Sequence, residues 1–238
     1  MDRTRTSRPI PLPLTALVAF FSALAALAVA NGHSAHAHGN EPHHSRPIVA
    51  SGPVTDAPKA VALRLDMRRL WEDHITWTRL AIISLTTGAP DADATVGRLL
   101  QNQTDIGDAV KPFYGSAAGN ELTRQLRQHI LIAADVVAAA KAGDKAELAN
   151  AQARWSRNGD AIAALLASAN PRFWKLGQMK AELRMHLTLT TEEAVARLQG
   201  KWAADVAAYD KIHRHALHLS DLLSNGLVRQ FPARFRQR

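Results

Sequence analysis

The chain has no cysteine among its 238 residues. That absence excludes disulfides, thiolate zinc sites, iron–sulfur clusters and a cysteine nucleophile. Any metal must then be held by His, Asp, Glu or backbone groups. Aromatic residues are scarce at 5%, and no basic stripe interleaves with them, although 29 Lys and Arg against 21 Asp and Glu give a formal charge of +8. Such an excess favours anionic surroundings weakly and gives no reason to expect nucleic acid as a partner. Alternating runs of β-branched residues are missing, as are glycine-rich nucleotide loops, so Rossmann and TIM architectures are excluded on pattern. Hydrophobic residues are plentiful at 47%, enough for a core in one or two domains.

Residues 1–37 carry the pattern of an export signal. Arg3, Arg5 and Arg8 precede an apolar run from Leu14 to Ala30, followed by small residues. Two cleavage sites compete: after Ala30, in Ala28-Val29-Ala30, or after Ala37, in Ala35-His36-Ala37. The alternative is an uncleaved inner-membrane anchor over residues 14–30, a length at the lower bound for spanning a bilayer. With cleavage, a periplasmic or secreted protein is expected. Residues 38–58 then read as a His- and Pro-rich disordered linker, too poor in large apolar side chains to offset its ordering entropy. His33, His36, His38, His43 and His44, five of the eleven histidines, fall in or just before it. Imidazoles on a flexible chain can chelate Cu, Ni or Zn. Cleavage after Ala30 would add a terminal Asn31-Gly32-His33, whose nitrogens suit square-planar Cu(II) or Ni(II). The competing reading is a polar spacer with incidental histidines.

Beyond residue 58 the pattern is helical throughout. Asp56 can cap a first helix through Leu63, Met67, Leu70, Trp71, Ala81 and Leu85, ending near Gly88. A second runs from about Asp91 to Lys111. After Phe113-Tyr114-Gly115 a third passes Leu122, Leu126 and Val136 to Gly143. Asp144 with Glu147 opens a fourth, which ends at Asn170-Pro171; a short fifth spans Trp174 to Leu189. Thr190 with Glu193 reads as a capping box for a last long helix through Trp202, Val206, Tyr209, Leu217 and Leu223. The expectation is an all-α antiparallel helical bundle of five to six helices over residues 59–232, followed by a basic tail at 233–238.

Polar residues on the inward stripes carry the functional signal. His74, His129, His186 and His213 continue the apolar spacing of four different helices, while His215 and His218 fall off that line. Glu182 lies four residues before His186, and Asp210 three before His213. Gln103 and Asn158 also interrupt apolar stripes. A buried imidazole must find a partner, so these residues predict either a bundle-core metal site with Asp210 or Glu182 assisting, or separate satisfied core histidines. Glu72, Asp73 and Arg79 on other faces of the first helix, and Asp105 and Asp108 flanking the stripe of the second, read mainly as a solvated face or a bridge between helices, with no nucleophile or oxyanion loop beside them. The five tryptophans read as core. Arg229, Arg234, Arg236 and Arg238 predict at most weak contact with an anionic membrane surface.

The segments LWEDHITWTR (70–79), RLLQNQTDIG (98–107) and HILIAAD (129–135) resemble an uncharacterised family of exported, all-helical bacterial and archaeal proteins. The likeness runs from about residue 65 to 235 and implies an exported helical domain without implying a catalytic residue. The combined expectation is a non-enzymatic bundle that binds a small ligand, foremost a transition metal. The alternative is an envelope-associated structural or interaction module.

Overall fold

The computed structural model describes residues 57–236. The export signal, the linker histidines and the Asp56 cap lie outside them. Helix α1 spans Pro58–Thr87 and α2 Ala92–Ala142. They are followed by α3 at Lys145–Ala169, α4 at Leu176–Leu198, α5 at Trp202–Gln230 and a short α6 at Pro232–Phe235. The expected ends at Gly88 and Gly143 hold, each glycine standing in the left-handed region that closes a helix without a Cβ penalty. The Asp144 side chain accepts from the Glu147 N–H at 3.0 Å, capping α3.

Helix α2 is broken at Gly115, whose φ of 83° and ψ of 168° are non-helical, three residues after Pro112. Its two arms fold back on each other: Arg127 donates to the Leu100 carbonyl at 3.0 Å, and a Cβ on Gly107 or Gly119 would lie 2.7 Å from the other's carbonyl oxygen. The glycines are what permit that approach. The six long segments close into a ring in which each packs on its chain neighbours and α5 returns to α1, giving the expected antiparallel bundle.

Two boundaries differ from expectation. Helix α4 continues through Thr190 to Leu198, and the break falls at Gly200, with φ of 66°. The Thr190 hydroxyl donates to the His186 carbonyl within its own helix at 2.8 Å, and Glu193 turns inward to Arg79, so neither is available to cap. At the other end, residues 233–235 of the expected tail belong to α6. Phe235 is buried there, and Arg234 lies over the Phe113 ring.

Along the bundle axis the interior changes character. Around the α2 bend lies a large apolar core including Met67, Trp71, Ile106, Leu122, Ile162, Trp174, Leu183, Leu219 and Leu227. Next comes a polar layer with His74, Asn102, Gln103, His129, Asn158 and His186, all buried. Beyond that layer, toward Leu85, Ala140 and Leu198, the packing leaves a cavity.

Candidate functional site

The cavity has a volume of about 50 Å3 and is walled by α1, α2, α3 and α4. His74, His129, His186 and Trp155 line it together with Ile82, Leu99, Val137 and Ala194. Thr78, Thr190 and Thr191 also line it, yet their hydroxyls donate to carbonyls four residues earlier at 2.7–2.8 Å. With those hydroxyls engaged by backbone, the imidazoles and the Trp155 indole are the cavity's remaining polar groups.

His186 is the hub of the histidines. Its ring centre lies 5.8 Å from that of His74, 5.9 Å from His129 and 6.2 Å from His215. The partners of each ring fix its chemistry. Trp155 Nε1, which can only donate, faces His129 Nε2 at 3.2 Å, so the proton of His129 sits on Nδ1 and is donated to Asn158 Oδ1 at 2.7 Å. His74 Nδ1 faces the Gln103 amide nitrogen at 3.1 Å. That nitrogen also approaches the Leu99 carbonyl at 2.8 Å and Asn102 Oδ1 at 3.0 Å, so two protons serve three acceptors. Gln103 Oε1 and His186 Nδ1 are buried without a hydrogen-bond partner.

Burial pushes the His74 and His129 pKa values down to about 4, against opposing hydrogen bonds from Asn102 and Asn158 respectively. The neighbouring His129 lowers His74 further. Burial drives His186 well below its ordinary value, and His74, His129 and His215 around it act in the same direction. The layer is therefore neutral imidazole at neutral pH.

Three of the four expected core histidines thus come together, and the fourth does not. His213 is partly exposed and pairs with Glu72 Oε2 at 2.7 Å, while Asp210 is exposed. The buried line of α5 runs through Asp205, Ala208, Ile212, Ala216, Leu219 and Leu223; Trp202 and Val206, expected inside, are 59% and 54% exposed. His215, three residues after Ile212 and four before Leu219, takes the place expected of His213. Small alanines and an acidic residue on the true inward line hid its register. Glu182 pairs with His215 and His218 and not with the cavity histidines. Among the described residues no three His, Asp or Glu side chains are grouped, as they stand, to hold a metal ion.

Arg79, expected on an outer face as a solvated or bridging residue, belongs to a second polar group that bridges helices around two buried carboxylates. Arg79 on α1 donates to Glu193 on α4 at 2.9 Å and, through both terminal nitrogens, to Asp205 on α5. Arg197 adds a contact to Asp205 at 3.2 Å. Both carboxylates are buried. Burial raises the Glu193 pKa while Arg79 opposes it.

No known family, no curated protein and no solved structure matches this chain. Among the described residues no helix is long and apolar enough to cross a membrane.

Proposed function

We propose that this protein is a ligand-binding helical bundle whose cavity takes a small, uncharged, largely apolar molecule against the neutral imidazoles of His74, His129 and His186. The observation that carries this reading is the apolar cavity bordered by His186, a neutral ring with a buried and unpartnered Nδ1. Neutral imidazoles and apolar walls select against charge, because an ion there would lose its hydration without gaining a counter-charge. A volume of about 50 Å3 suits a molecule of a few heavy atoms, since cavities of about 150 Å3 take benzene.

The same geometry favours a neutral ligand over an ion held by the core histidines. His129 has both ring nitrogens engaged, and a metal would have to displace the Trp155 indole from Nε2. The basic start and apolar run of residues 1–30 support a site of action outside the cytoplasm, as does the resemblance of the 70–79 and 98–107 segments to exported helical proteins.

Xenon is a suitable probe, being apolar, uncharged and a single atom. Under xenon pressure, NMR shift changes should concentrate on the methyls of Ile82, Leu99, Val137 and Ala194 and on the His186 ring. Ala194→Leu, which fills the space, should abolish them. Shifts scattered over the surface, or unaffected by Ala194→Leu, would reject the cavity as a binding site.

A further inference from the structure

Outside the cavity, Glu182 on α4 stands between two imidazoles of α5. His218 Nε2 approaches its Oε1 at 3.5 Å and His215 Nδ1 approaches its Oε2 at 3.8 Å. The two histidines are three residues apart and so share a helix face. His215 Nε2 faces the backbone carbonyl of Glu182 at 3.1 Å and must therefore carry the ring proton. At 3.8 Å from Glu182 Oε2, His215 Nδ1 is beyond hydrogen-bond distance of the carboxylate and shares no proton with it. A bare nitrogen lone pair thus faces a carboxylate oxygen, an arrangement that a cation between them would relieve.

We propose that Glu182, His215 and His218 form a binding site for a divalent transition metal of the zinc class at the edge of the bundle, distinct from the cavity and independent of its ligand. The donor set of two imidazoles and a carboxylate matches what zinc accepts, with a fourth position left to solvent. Donors around a tetrahedral zinc stand about 3.4 Å apart, given metal–ligand bonds near 2.1 Å. The two nitrogen–oxygen separations here are 3.5 and 3.8 Å. The bond from a ring N–H to a backbone carbonyl is also the usual support of a metal-binding histidine, because it fixes the tautomer and the ring's direction. The three donors fall short of closure as they stand. His218 is 61% exposed, however, and its rotation can bring the third donor in with little resistance from packing.

The test uses the full chain with His33, His36, His38, His43 and His44 replaced by Ala, so that the flexible histidines do not compete. Zn2+ titration by calorimetry should give one ion per chain, and Co2+ absorption should report nitrogen and oxygen ligands. His218→Ala and Glu182→Gln should each weaken Zn2+ binding at least tenfold, with circular dichroism unchanged, whereas His213→Ala should leave it alone. Because His218 is exposed, its variant keeps the test decisive if Glu182→Gln fails to fold. No Zn2+ bound, or binding indifferent to the His218 and Glu182 changes, would overturn the proposal. Xenon uptake by the cavity is a separate readout, so failure of one site does not carry to the other.

Discussion

His129 shows how much a single buried side chain is constrained here. Its two neighbours leave one tautomer, because Trp155 supplies a proton to Nε2 and Asn158 accepts one from Nδ1. The Asn158 amide is itself oriented by donating to the backbone and side-chain oxygens of Gln125, both at 3.2 Å. Asn158→Leu keeps the shape and removes the acceptor, stranding a buried N–H. Loss of one partner of a buried pair costs about 1–3 kcal/mol. Urea unfolding should show that loss, and an unchanged midpoint would mean that the His129 proton is held some other way. The histidines that sequence reasoning located correctly, His74, His129 and His186, lie among large apolar neighbours that mark their helix faces. The inward line of α5 that leads to His215 opens with Asp205 and Ala208, and so carried no comparable mark.

Between elements, the Arg79 network ties α1 to α4 and α5 beside the cavity. Its carboxylates are buried, so removing Arg79 strands Glu193 and leaves Asp205 with Arg197 alone. Arg79→Met should destabilise by about 3–5 kcal/mol, the range for breaking one side of a buried ion pair. Replacing Glu193 and Asp205 by Leu in the same chain should recover most of that loss, since an apolar trio removes the buried carboxylates and the partly exposed Arg197 can turn its charge to solvent. Equal instability of the single and triple variants would show that shape, not charge, holds the three helices. These residues also explain the misplaced boundary. Thr190 and Glu193 have the spacing of a capping box, and local pattern cannot reveal that Glu193 is claimed by an arginine 114 positions earlier. By contrast, the ends at Gly88 and Gly143 were legible because a left-handed glycine is a local device.

On the scale of the whole molecule, the periodic apolar pattern was sufficient to specify an antiparallel bundle, whereas the pairing of polar residues across helices depended on registers that periodicity leaves open. The buried layer also gives the fold a pH dependence. An unfolded imidazole titrates near 6.5, while His74 and His129 in the fold titrate near 4. Between those values the unfolded chain binds more protons, so stability is complete above about pH 6.5 and declines as pH falls toward 4. The decline amounts to roughly 3 kcal/mol for each of the two rings. Urea midpoints should therefore drop steadily from pH 7 to pH 4.5, and a flat profile would argue against a buried neutral layer. The most direct test of that layer is imidazole 15N NMR across the same range. The account predicts that His74, His129 and His186 remain neutral at pH 5.5, with His129 protonated on Nδ1 alone; titration of these three rings near pH 6.5 would contradict it.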